Sequence, residues 1–188
     1  TGAGSTVAVV DSGCDATHPD LADHVTHNVK LISAEYVNIP PDSSNTIVVP
    51  IGGGGLMSGI GSAIRALAPH VRILGAEPET AAPGAKSYAA NAPAVFDDWK
   101  ASFVDGAGGK SIFPRMWERM RPVVDGSVVV TLEEVRQAMK LIASKARVIA
   151  EGAGALGVAA ALKEQEGPVV AVVSGGNIDL KKFCELVS

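Results

Sequence analysis

The sequence predicts an α/β protein: one three-layer αβα domain over residues 1–188 with a mainly parallel sheet. Short β-branched runs alternate with helix-patterned stretches, the order produced by strands joined through crossover helices. Most of those runs are near-continuously apolar rather than alternating, which is the mark of strands covered on both faces. Aromatic residues make up only 4% of the chain while glycine numbers 21, so Val, Ile, Leu and small residues must build the core.

The candidate strands, in order, are 6–10, 29–32, Thr46–Pro50, 71–77, 128–131 and 169–173. The best-defined helix is 132–146: Leu132, Val135, Ala138, Met139, Ile142 and Ala146 recur at spacings of three and four, behind Thr131 as N-cap with Glu134 three residues on. Further helices are expected at 56–68, where Pro69 closes the element, at 111–119, at 154–163 with Gly167 and Pro168 beyond it, and at 178–187. Residues 80–109, rich in Ala, Pro, Gly and Asn, read as a long connection carrying one short helix.

Sixteen basic residues against 20 acidic ones give a net charge of −4, which excludes the basic face that nucleic acid or an anionic membrane would need. No apolar run reaches the length that crosses a bilayer, and the first residues lack the basic start and apolar stretch of a secretory leader. The expectation is a soluble, cytoplasmic protein without a nucleic-acid or membrane partner. Cys14 and Cys184 are far apart and outside any C-x-x-C, so they read as reduced thiols rather than a disulfide or zinc framework.

The sharpest feature is IVVPIGGGGL, a strand running into Gly52, Gly53, Gly54 and Gly55 and then a helix opening at Leu56. Backbone N–H groups without side chains, at the positive end of a helix, form a concavity suited to phosphate. No Gly-Lys-Ser/Thr follows, so this is not a Walker loop. Ser174 ends an apolar run ahead of Gly175 and Gly176, at the carboxyl edge of the sheet where open α/β folds bind ligands; a turn capping the following helix reads equally from the same residues. Gly152, Gly154 and Gly157 spell the dinucleotide fingerprint, but they follow a helix rather than a strand, which weakens it.

From about residue 41 to 187 the chain resembles the pyridoxal-phosphate-dependent threonine/serine dehydratases and serine racemases of fold type II. The matching segments stand in family order: IVVPIGGGGLMSGIGSAIRAL, RILGAEPE, VDGAGGKSIFP, VVVTLEEVRQAM, EGAGALGVAAAL and VVAVVSGGNIDL. The resemblance implies that Gly52, Gly53, Gly54, Gly55 and Leu56 form the loop holding the cofactor phosphate, that Ser174 faces the pyridine nitrogen, and that Gly106 and Glu151 line the cofactor. A neutral hydroxyl against that nitrogen moderates the electron sink and favours elimination or racemisation. Glu77 resembles a carboxylate that binds a divalent ion in some relatives, but Pro83 stands where a second ligand is expected, so no metal is expected. The family's Schiff-base lysine lies in an S-x-K-x-R-G segment followed by a Ser-Gly-Asn loop, and none of the nine lysines here has that context.

Residues 5–38 resemble instead the start of the subtilisin-like serine proteases, through VAVVDSG and THPDL. That resemblance makes Asp11 a vestigial triad aspartate, with His18 in the turn motif, His24 and His27 exposed, and the triad histidine and serine segments missing. Taken together, the two resemblances predict a recombined or engineered chimera, a protease-like 1–40 joined near 37–41 to a dehydratase-like 41–188. The expectation is no activity of either parent and no cofactor, with at most weak pyridoxal phosphate or phosphate binding at the glycine loop. The alternative is a pyridoxal-phosphate-dependent dehydratase-like lyase completed by another chain. Exposed sheet edges are expected to favour a homo-oligomer.

Overall fold

Strand β1 (Thr46–Pro50) is buried at every residue, as its unbroken apolar run predicts. The computed structural model describes residues 46–164 and 169–188. The expected strands 6–10 and 29–32, the joint at 37–41, and Asp11, Cys14, His18, His24 and His27 lie outside the described residues.

On one side β1 pairs in parallel with β2 (Arg72–Pro78), in register from Thr46 with Arg72 to Pro50 with Ala76. On its other side it pairs in parallel with β4 (Val169–Ala171), Thr46 meeting Val169. The fourth strand, β3 (Gly126–Val130), is parallel to β2, giving the order β3-β2-β1-β4. Successive connections therefore leave β1 in opposite directions, and β1 is the switch point of the sheet. The last strand is shorter than expected, although the Val172 N–H still reaches the Val48 carbonyl at 3.0 Å.

Side chains alternate across β1. Val48 joins Leu74, Ala76 and Val130 in a core covered by α4 (Leu132–Leu141), α5 (Gly152–Ala161) and α6 (Leu180–Val187), which contribute Met139, Leu156 and Phe183. Ile47 and Val49 join Ile73 in a second core, closed by Met57 and Ile64 of α1 (Gly55–Leu67) and Trp117 and Met120 of α3 (Pro114–Met120). Helices thus cover both faces, the three layers that the composition predicts. Between β2 and the next helical turn lies α2 (Pro83–Ala90), whose Tyr88 ring packs 4.9 Å from that of Trp117. A 3₁₀ turn at Asp105–Ala107 is the other regular piece of the expected long connection.

Helix boundaries differ from expectation where a single residue overrides the periodicity. Helix α3 starts at Pro114, whose fixed φ and missing N–H suit the first helical position, while Ser111 bridges to Val95. The Thr131 cap and its capping box with Glu134 form as read, the Glu134 N–H donating to the threonine hydroxyl at 3.1 Å. The far end of that helix does not: the α-helix stops at Leu141, and Ile142–Ala146 forms one wider π turn closed by Arg147 at φ 61°. Among the described residues no helix is long and apolar enough to cross a membrane.

Candidate active site

The site lies beyond the carboxyl ends of β1 and β4, at the switch point. Leaving β1, the chain passes through the four glycines into α1. Gly54 adopts φ 89° as the N-cap, and a β-carbon there would stand 2.6 Å from the Met120 sulfur, so both backbone and space demand glycine. Gly52 is pressed against the 3₁₀ turn, where a β-carbon would lie 2.7 Å from the Gly106 carbonyl oxygen. Among the described residues, nothing lies within 4 Å of a β-carbon added at Gly53 or Gly55.

Among the described residues the amides of this loop have no backbone acceptor, which suits them to an anion. The first rung of α1 runs from the Ser58 N–H to the Gly54 carbonyl at 2.9 Å, so the N–H groups of Gly55, Leu56 and Met57 precede the helical ladder. Among the described residues, none of the N–H groups of Gly52, Gly53, Gly54 or Gly55 donates to another backbone carbonyl. The first turn carries no acidic residue that would repel a phosphate. Leu56 contributes through its amide alone, because its side chain packs against the Ile47 and Val49 core.

The opposite wall comes from α5 and the segment after β4. Helix α5 is apolar all round and buried along most of its length. It approaches that segment closely: a β-carbon on Gly157 would meet the Val172 carbonyl oxygen at 2.5 Å, and one on Gly154 would overlap Gly175. The Gly152, Gly154 and Gly157 spacing therefore serves helix-to-strand contact in this fold. Glu151, the N-cap of α5, donates its N–H to the Gly175 carbonyl at 3.1 Å, and its carboxylate fills the space beside Gly175. The same carboxylate oxygen stands 3.8 Å from where a β-carbon of Gly106 would be.

The fold thus brings Gly52, Gly106, Glu151 and Gly175 into one run of close contacts, with half-buried Ser174 on the adjoining segment. Burial raises the Glu151 carboxyl above its ordinary range, and the charge of Asp105 raises it further. Asp105 is a site residue that the motifs do not mark; its proximity to Glu151 arises only when the 3₁₀ turn packs on the N-terminus of α5. Every lysine among the described residues is exposed.

Comparison with known proteins identifies this arrangement. The profile of the family described as "Pyridoxal-phosphate dependent enzyme" matches residues 15–175. The chain is 34% identical over 180 residues to an L-threonine ammonia-lyase of Thermotoga maritima, covering 94% of this chain and 44% of that protein. Among solved structures, a threonine deaminase from T.th. superposes with a TM-score of 0.71 at 29% identity, covering 78% of this chain and 52% of that one. Maize serine racemase superposes with a TM-score of 0.70 at 33% identity, covering 81% and 50%.

These matches correct the chimera reading. The profile begins at residue 15, within the protease-like 5–38, and runs through the supposed joint at 37–41 into the dehydratase-like part without a change of family. Nothing in these matches shows a protease-like segment at residues 5–38, and the profile covers 15–38 of it. The expectation of an inactive, cofactor-free protein is overturned as well, because the relatives carry the names of lyases and the family is pyridoxal-phosphate dependent. The chain spans less than half the length of the Thermotoga protein.

Proposed function

The chain belongs to the pyridoxal-phosphate-dependent enzymes, and from that premise we propose that it is the cofactor-holding part of a lyase that removes water and ammonia from small β-hydroxy amino acids such as threonine or serine. The observation that carries this reading is the set of amides at Gly53, Gly55 and Leu56, without a backbone acceptor among the described residues, at a helix N-terminus beyond the carboxyl end of β1. Those residues fit the cofactor: a side-chain-free cradle at a helix N-terminus accepts its phosphate, and a neutral serine hydroxyl suits its ring nitrogen. When bound, pyridoxal phosphate supplies an electron sink conjugated to the α-carbon of the amino acid, which makes loss of the α-proton and the β-hydroxyl feasible.

The residues of this chain act by holding and shaping. The glycine amides would hold the phosphate. Ser174, just beyond β4, would supply a neutral hydroxyl for the ring nitrogen, without a full charge. Glu151, held partly out of water and beside Asp105, keeps its proton to higher pH than an ordinary glutamate. The lysine that would hold the cofactor belongs, on this reading, to the part of the relatives' length that this chain does not span.

Titration of pyridoxal phosphate against the fluorescence of Trp99 and Trp117 tests this. The expected result is saturable binding, displaced by inorganic phosphate and lost in Gly53→Asp, which places a carboxylate among the amides. Unsaturable binding, or binding indifferent to phosphate and to Gly53→Asp, would overturn it.

A further inference from the structure

Glu77 is fully buried in the second half of β2, a position where a carboxylate needs strong partners. Its partners are all hydrogen-bond donors of the chain itself. The Gly84 N–H donates to Oε1 at 2.7 Å, the Ala85 N–H to Oε2 at 2.7 Å, and the Ser127 hydroxyl to Oε2 at 2.6 Å. These donors come from the start of α2 and from β3, so one carboxylate joins three elements. The backbone at residue 84 lies directly on the carboxylate, since a β-carbon there would stand 2.8 Å from Oε2 and 2.9 Å from Oε1.

In some relatives a carboxylate like Glu77 binds a divalent ion, and the donor set here does not fit one. A carboxylate offers about four acceptor positions, and three of these are taken by N–H or O–H groups. Those donors place partial positive charge where a cation would have to stand. Mg²⁺ and Ca²⁺ need about six to eight oxygen ligands between them in their usual sites. Among the described residues no three His, Cys, Asp or Glu side chains come together as such a group. Pro83, where a second carboxylate would be expected, offers no side-chain oxygen.

We infer that in this chain Glu77 is held by Gly84, Ala85 and Ser127 in place of a divalent cation, and that the turn between β2 and α2 closes without metal. Glu77 is accordingly a positioning residue for α2 and β3. This inference goes beyond the cofactor reading and does not depend on it.

Thermal unfolding of the chain, without added cofactor, in EDTA and then in millimolar Mg²⁺, Ca²⁺ or Mn²⁺ is the test. The wild type is expected to melt at one temperature in all four. Glu77→Gln, which turns an amide NH₂ toward a backbone donor, is expected to lower Tm by about 4–10 °C, equally with and without cations. Ser127→Ala keeps the carboxylate and frees one acceptor position; it serves if the glutamine variant does not fold, and is expected to melt lower with the same indifference to cations. A cation-dependent rise in wild-type Tm that disappears in Glu77→Gln, or that appears in Ser127→Ala, would overturn the inference. So would a glutamine variant as stable as the wild type. A rise that Glu77→Gln retains belongs to another part of the chain and leaves the assignment standing. Because no readout involves pyridoxal phosphate, failure of the proposed function and failure of this inference are separable.

Discussion

Gly54 at φ 89° stands against the sulfur of Met120, which would lie 2.6 Å from a β-carbon at that position. One residue therefore meets two constraints at once, a left-handed backbone and a side chain of the second core behind it. Gly54→Ala is expected to cost about 1–3 kcal/mol from the strained backbone and the displaced methionine. It should also weaken pyridoxal phosphate binding by about tenfold or more, because the amides on either side of it move. Denaturant unfolding and the fluorescence titration read the two effects separately.

Gly53 and Gly55 make the contrast, since among the described residues a β-carbon at either meets nothing within 4 Å. Gly55→Ala at the first helical position should leave stability within about 0.5 kcal/mol of the wild type. Gly53→Asp should likewise fold, yet abolish phosphate-competed binding. A loop whose glycines served packing alone would show all three substitutions destabilising together.

The titration of Glu151 has a defined sign. Its folded value lies above the ordinary 4.5, so the stability associated with its neutral form is fully present below that value and is lost as pH rises through the raised folded value. The Tm of the wild type relative to Glu151→Gln should therefore fall as pH is taken upward from 4.5. Asp105→Asn removes the like charge and should move that fall to lower pH. A difference between wild type and Glu151→Gln that stays constant across pH would contradict the partial burial of Glu151, and an unshifted fall in Asp105→Asn would contradict the placement of Asp105.

The capping box at α4 gives a prediction remote from the site. Thr131→Ala removes the hydroxyl that accepts the Glu134 N–H and should cost about 1 kcal/mol, or roughly 2–4 °C in Tm, with ligand binding unchanged.

Close packing at α5 couples stability to the site. Gly157→Ala inserts a methyl group 2.5 Å from the Val172 carbonyl oxygen and must push α5 away from the segment leading to Ser174. A loss of about 1–3 kcal/mol is expected, with weaker binding alongside it, measured by unfolding and by the same titration.

Much of this architecture is legible from local chemistry. The strand-glycine-helix junction announces itself because four glycines between an apolar run and a helix have few other uses. Thr131 and Glu134 declare the start of α4 because both halves of the box lie within four residues. What is hidden is whatever depends on distant segments. Arg147 ends the π turn in a left-handed conformation that glycine would normally mark, so sequence extends the helix past Leu141. The partners of Glu77 are not legible in the sequence, because Gly84 and Ala85 donate through backbone N–H groups and Ser127 lies on another strand. Asp105 lies within the matching segment VDGAGGKSIFP, but nothing in that segment places it beside Glu151. The protease-like reading failed for the converse reason: a local pattern was given weight that only a long colinear match can bear.

The parallel pairing of Thr46 with Val169 also fixes when the site can exist. The two sides of the site are contributed by residues near the two ends of the described chain, and strands so far apart in sequence can meet only after nearly all the chain between them is available. During synthesis, the glycine loop therefore emerges long before the Ser174 segment that faces it. Folding must close this largest loop late, and a phosphate-bearing ligand present at that moment would favour the closed form over earlier, open ones by mass action.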